Sequence, residues 1–241
     1  DTRLTAGRIL VIGPSDRFLR FVAAVLPTLG EARISQTTFD RLLGPTGAAA
    51  NDPRWLPLLD RYEASLLRPA EIRVGLTRVR AAEVAELLQR IGGREIPWRD
   101  RRKVFVDLLA NRHHLKPAEL SKAAGDVWPP MTTVKVMKQL RSRTVLRALE
   151  ADVDLVDGWL ADTDDGALRD EVRARFEGVP AVYGHVIVDE AQDLTLLQLR
   201  AVQRRSAGMT LVGDDAQRSV THGLGLRGSA ADTVMSPVVK T

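Results

Sequence analysis

The chain has 241 residues, 44% of them hydrophobic and 27% charged, with 18 Gly and 12 Pro, a composition for one large or two small packed domains that excludes collagen-like, coiled-coil and wholly disordered chains. Lys and Arg number 35 against 31 Asp and Glu, leaving +4, which is compatible with touching nucleic acid but far short of a polycationic arm. The absence of Cys removes disulfide scaffolds, Cys-ligated zinc and thiol nucleophiles together. No apolar run reaches the length of a membrane span, and the first seven residues lack the blocks of a signal peptide, so no membrane partner and a cytoplasmic location are expected. A start at Asp1 rather than Met is what an excerpt or a processed product shows.

In chain order, Arg8-Ile-Leu-Val-Ile12 is a short apolar run ended by Gly13-Pro14, the pattern of a buried strand in a parallel sheet. Ser15 stands at an N-cap position, and Phe18, Leu19, Phe21, Val22, Val25 and Leu26 follow at helical spacing to an end near Leu29-Gly30. Arg33 to Gln36 reads as a second short strand. Gly44 to Pro53 changes character abruptly and reads as a linker. Beyond it helices are expected over Trp55–Leu67, Ala81–Ile91, Trp98–Leu109, Pro117–Ala124, Thr132–Leu149, Val153–Leu160 and Ala167–Phe176. One strand, Glu71–Val79, interrupts them through alternating Ile72, Val74 and Leu76. Sheet character returns with His185–Val188 and Met209–Val212, separated by an amphipathic helix over Leu194–Arg205. The expected architecture is α/β: a parallel-sheet core split between 1–43 and 180–217, a mostly helical insertion over 50–179, and an irregular tail over 218–241.

The sharpest chemical signal is Val186-Ile-Val-Asp189-Glu190-Ala191-Gln192-Asp193. A buried strand here delivers two adjacent carboxylates to its carboxyl end, where open α/β sheets bind ligands. Such a pair suits nucleotide hydrolysis: the first carboxylate can hold Mg²⁺ through water, and the second can orient or deprotonate the attacking water. The plain alternative is an acidic strand end ahead of a helix whose N-terminus favours Asp and Glu. His113, His114, His185 and His222 have no metal-ligand spacing, and no nucleophile-elbow sequence occurs. The basic runs Arg99–Lys103 and Lys138–Arg147 read as solvated helix faces, with nucleic acid or protein contact as the minority reading. Trp55, Trp98, Trp128 and Trp159, at helix starts and ends, read as packing anchors.

Asp189-Glu190-Ala191-Gln192-Asp193 resembles motif II of superfamily 1 helicases of the UvrD/Rep type. Leu211-Val-Gly-Asp214-Asp215-Ala-Gln217 resembles their motif III, and Ile9-Leu-Val-Ile-Gly-Pro14 their motif Ia. Phe18-Leu19, Val25-Leu-Pro-Thr-Leu-Gly-Glu31, Asp126-Val-Trp-Pro-Pro-Met-Thr132 and Tyr183-Gly-His185 are similar to the HelD-type, RNA polymerase-associated branch. The resemblance implies a partial RecA-like P-loop NTPase lobe using ATP and Mg²⁺. It implies Asp189 as the carboxylate of the metal, Glu190 as the base, Gln217 as the catalytic contact to the γ-phosphate, Gln192, Asp193, Asp214 and Asp215 as loop supports, and Asp189, Gln192 and Asp214 as residues of the cofactor site. It places Gly13, Pro14 and Ser15 on a nucleic-acid track, although those three also make a strand-ending turn with an N-cap. DNA, RNA polymerase and the missing parts of the same motor are the implied partners.

The sequence departs from that pattern in two respects. No Gly is followed by Lys, so the phosphate loop Gly-x-x-x-x-Gly-Lys-Ser/Thr is expected upstream of Asp1, and the second lobe beyond the end. No Phe, Tyr or Trp follows Tyr183 to stack a base. Two readings therefore stand side by side: part of an ATP-dependent motor, or a non-catalytic binding or remnant module without ATPase activity.

Overall fold

A strand covered on both faces needs an unbroken apolar run, and Ile9–Ile12 (β1) supplies one, with Leu10, Val11 and Ile12 buried. The computed structural model describes residues 9–25, 34–93 and 95–214. Ser15 caps the helix after β1, its Oγ accepting the Phe18 N–H at 3.2 Å, and α1 runs Asp16–Val25. Leu19 of α1 is buried, but Phe21, expected on the apolar face, is 69% exposed. The expected helix end at Leu29-Gly30 and the tail over 218–241 lie outside the described residues. Next come β2 (Ser35–Thr37), slightly later than expected, and the short α2 (Phe39–Leu43), capped by Thr38. Helices and one hairpin follow: α3 (Trp55–Leu66), β3 (Ile72–Val74), β4 (Thr77–Val79), α4 (Ala81–Gly92), α5 (Trp98–His113), α6 (Pro117–Ala123), α7 (Thr133–Leu140), α8 (Arg143–Ala148), α9 (Val153–Ala161) and α10 (Gly166–Phe176). The chain then returns to the sheet with β5 (His185–Val188), α11 (Leu196–Arg205) and β6 (Met209–Leu211).

Two compact units result, one from 1–53, 157–171 and 179–241, the other from 54–156 and 172–178. The first unit carries a four-stranded parallel sheet in the order β2-β1-β5-β6. Ile9 to Ile12 pair one for one with His185 to Val188, and Val186 to Val188 with Met209 to Leu211. Leu10, Ile12, Val186 and Val188 form one core with Ala191, Leu194, Leu199 and Val202, so α11 covers the sheet through its apolar stripe. No helix among the described residues is long and apolar enough to cross a membrane.

Residues 44–53 belong to this unit and are packed rather than a free linker. The Gly166 N–H donates to Pro45 O at 2.9 Å and Gly47 N–H to Asp164 O at 2.8 Å, while Thr46 Oγ1 accepts the Ala167 N–H at 3.0 Å. A Cβ on Gly166 would lie 2.3 Å from Gly44 O, so only glycine permits this approach. Ala50 and Asp52 are buried. Backbone groups of Pro45 and Gly47 and the Thr46 hydroxyl thus bond to 164–167, which holds this stretch in the unit.

Buried ions fasten α10 to α11. Glu171, fully buried, accepts from Arg200 and Arg204, and Asp170 accepts from Arg204 and Arg205. Charges taken out of water hold only when paired and hydrogen-bonded, and here each carboxylate meets two guanidinium groups.

In the second unit, Trp55, Trp98 and Trp128 are 0–1% exposed, and Trp159 of the first unit is equally buried. The tryptophans are packing anchors, as their positions suggested. Trp98 lies 5.2 Å from Trp128 and 5.6 Å from Phe176, ring to ring, and its Nε1 donates to Pro129 O at 2.9 Å. The basic run at the start of α5 is not a uniformly solvated face. Arg101 is buried, donating to Gly92 O and Glu63, and Arg102 donates to Trp128 O at 2.7 Å and Ser121 Oγ at 2.9 Å.

Two further expectations need correction. Glu71–Val79 is not one strand but an antiparallel hairpin, because Gly75 adopts φ 57° and reverses the chain between Val74 and Thr77. Leu76, expected to point inward, sits fully exposed at its tip. The expected helix over Thr132–Leu149 is two helices, broken at Arg141-Ser142, where Ser142 turns extended (φ −94°, ψ 117°).

Asp170→Ala leaves Arg205 buried without its carboxylate and lowers the unfolding free energy by about 3–5 kcal/mol, read by urea denaturation. Replacing Asp170 and Arg205 together by apolar residues of similar volume costs far less, because no unpaired charge remains.

Candidate active site

The edge of the sheet at the strand carboxyl ends is assembled by backbone bonds that run one residue past each strand. The Asp189 N–H donates to Ile12 O at 2.9 Å, Gly13 N–H to Thr37 O at 3.1 Å, and Val212 N–H to Val188 O at 2.8 Å. Parallel pairing therefore sets Gly13, Asp189 and Gly213 along one edge. Gly13 is buried, and a Cβ there would fall 2.4 Å from Phe18 Cδ1. Pro14 and Ser15 are exposed, and the Ser15 hydroxyl is engaged as the cap of α1.

Beyond Asp189 the chain turns sharply. Glu190 takes the left-handed conformation (φ 53°, ψ 41°), which residues with a Cβ seldom adopt, and its side chain is exposed. The Ala191 N–H then donates to Val212 O at 2.8 Å, and Ala191–Asp193 form a single 3₁₀ turn. Thr195 caps α11 in a capping box with Gln198, and its hydroxyl also meets Asn51 Oδ1 at 3.0 Å. The entry and the exit of the acidic loop are thus both pinned.

Gln192 joins the loops. It is 1% exposed, its Nε2 donates to the Glu190 carboxylate, and its Oε1 accepts the Asp214 N–H at 3.1 Å. A Cβ on Gly213 would lie 2.1 Å from Gln192 Oε1 and 2.9 Å from Ala191 N, so glycine at 213 is required for the backbone to reach the amide. Asp189, Glu190, Gln192 and Asp214 are brought together in one hydrogen-bonded group. Gly13, Pro14 and Ser15 share its edge without a hydrogen bond to it. Asp215 and Gln217 lie outside the described residues.

Burial pushes the Asp189 carboxyl above the ordinary Asp range; the Glu190 N–H draws it back, and the neighbouring Glu190 charge pushes it up again. No group of three or more His, Asp or Glu among the described residues is arranged to hold a metal by itself. His185 is a sheet residue, its Nε2 2.9 Å from Thr210 Oγ1 on β6, and His113 pairs with Glu83 at 3.1 Å. Neither histidine joins the acidic loop.

Two contributions escaped the sequence reading. The resemblance places Gln192 in the cofactor site and as a loop support, but nothing in a linear sequence shows that its amide reaches the residue after Gly213. The capping box was legible as Thr195-x-x-Gln198, the usual signature of a helix start.

Asp189 is a weaker acid folded than unfolded, so its ionisation costs the folded state stability. That cost is present above the folded pKa and vanishes below the unfolded value of about 3.9. Asp189→Asn therefore raises the melting temperature at pH 7, and the gain shrinks as pH falls toward 4, as parallel thermal melts across that range show.

No protein-family model matches this chain, and no curated protein matches it either.

Proposed function

We propose that this chain is part of the first, RecA-like lobe of an ATP-dependent superfamily 1 helicase-like motor, HelD-like, acting on DNA or remodelling RNA polymerase in the cytoplasm. The observation that carries the reading is the Asp189–Glu190 pair at the carboxyl end of an inner strand of a parallel sheet, with Gln192 linking it to the loop after the next strand. An acidic strand end ahead of a helix explains neither the left-handed Glu190 nor a buried amide spent on aligning two loops.

The residues present fit Mg²⁺, which takes one or two carboxylates and completes its shell with waters and substrate phosphates. Asp189 would hold that ion through water, and the ion would neutralise charge developing on the phosphates. Glu190, aimed by its backbone turn and by the Gln192 amide, orients a water and takes its proton at the carboxylate. Asp214 keeps the neighbouring loop in place through its N–H. For ATP the fit is partial. The 241 residues contain no Gly-x-x-x-x-Gly-Lys-Ser/Thr cradle, so this reading assigns the cradle and the second lobe to other parts of the same motor. Gln217 is the residue proposed to meet the γ-phosphate, and Gly13, Pro14 and Ser15 the stretch proposed to meet a nucleic-acid backbone.

A second reading applies to these 241 residues alone: a non-catalytic binding or remnant module that keeps the lobe's surface without nucleotide chemistry. Hydrolysis separates the two. In the motor assembled with its cradle, Glu190→Gln lowers Mg²⁺-dependent ATP turnover by about 10²–10⁴-fold and spares ATP binding. Turnover that survives this substitution overturns the motor reading. The 241-residue chain alone turns over no ATP. With a net charge of only +4 and no aromatic residue after Tyr183, it binds single strands no more tightly than ~10⁻⁵ M at physiological salt. Fluorescent oligonucleotide titrations at two salt concentrations check this affinity.

A further inference from the structure

The second unit holds a cavity of about 380 Å³ beside α5 and α6. Helical spacing sets Trp98, Arg102 and Val106 in one row along α5, and Ser121 of α6 and Met131 line the cavity with them. Trp98, Val106 and Met131 are buried, so the wall is predominantly apolar. Arg102 is the exception. Its Nε donates to Trp128 O at 2.7 Å, and its two terminal nitrogens donate to Ser121 Oγ at 2.9 Å and Ser121 O at 2.6 Å. All three acceptors are neutral, and no carboxylate among the described residues pairs with this half-buried charge. The adjacent Arg101 shows the contrast, since it is buried against Glu63. Burial pushes the Arg102 guanidinium below the usual arginine range, as it does for a cation short of counter-charge. Three of its five N–H groups are used, which leaves two for a ligand.

We propose that this cavity binds a small organic carboxylate with an apolar ring, the ring against Trp98, Val106 and Met131 and the carboxylate on Arg102. Size and charge select that occupant. Small-molecule cavities run from about 300 to 1,000 Å³, with apolar walls and a few polar groups that fix orientation. The volume beside α5 stands at the lower end of that range, room for a compact ligand rather than a long one. An anion next to Arg102 supplies the missing counter-charge in a partly desolvated site, where a hydrogen bond between charged groups is strong. A neutral ligand would take the apolar wall and leave the guanidinium as it is. The rim adds to the preference: Arg99 and Lys103 lie exposed on the next row of α5 against the single carboxylate of Asp107, and no ion pair among the described residues holds Lys103. This site lies in the second unit and stands or falls without the chemistry at Asp189 and Glu190.

The test uses the full chain, labelled with ¹³C at the methyl groups of its 4 methionines, and 1-naphthoate as the probe. Titration moves the Met131 signal to saturation and leaves that of Met209, in the other unit, in place. 1-Naphthalenemethanol, the same ring system without the charge, binds about 10–100-fold more weakly, the range expected for a hydrogen bond to a charged group. Arg102→Gln brings the acid down to the affinity of the alcohol, while Lys103→Gln, at the exposed rim, costs less than about fivefold. Equal affinity of acid and alcohol for the unaltered chain overturns the proposal, and that comparison needs no variant to fold. An Arg102→Gln chain that melts like the unaltered one and still prefers the acid overturns it too. So does a Met131 signal that moves no further than that of Met209 at about 1 mM probe, where even a millimolar site is half filled.

Discussion

Parallel strands carry all their carboxyl ends on one edge, and in the first unit the pairing of Ile9–Ile12 with His185–Val188, and of the latter with Met209–Leu211, keeps a single register. From that register everything at the candidate site follows. Asp189 is still bonded to Ile12 O, Val212 is still bonded to Val188 O, and the turns that leave the strands face one another. A slip of one residue would move Val186 and Val188 out of the core and aim the acidic loop elsewhere. The apolar identity of β1 and β5 therefore positions the carboxylates as surely as the carboxylates' own neighbours do.

Buried charge does for the helices what register does for the sheet. Asp170 and Glu171 bind three arginines of α11, the helix whose capped start closes the acidic loop. Ion clusters of this kind add little net stability over apolar packing, but they resist any rearrangement that would strand one charge. A loop that holds Glu190 in a left-handed turn benefits from a rigid helix behind it.

Much of this fold was legible in the sequence, because the inner strands β1 and β5 are unbroken apolar runs ended by Gly13 and Asp189, and because Ser15 is an ordinary helix cap. The hairpin at 72–79 was not, since Gly75 interrupts an alternation that otherwise reads straight through. The break at Ser142 was hidden by apolar spacing that continues across it, and the packing of 44–53 depends on residues more than a hundred positions away. At the site, residue types and order revealed the acidic pair. The Gln192 amide between two loops is a tertiary fact that no local pattern encodes.

That amide has a thermodynamic consequence. One buried side chain is bonded at one end to the Glu190 carboxylate and at the other to the backbone of Asp214, with Gly213 pressed against it. A displacement of either loop must break or drag a hydrogen bond to the other. Coupling free energy is reciprocal, so whatever ligand prefers one position of the 213–214 loop is itself preferred by the matching state of Glu190. The pair behaves as a single element with two handles, and a signal entering at either handle is felt at the other with equal strength.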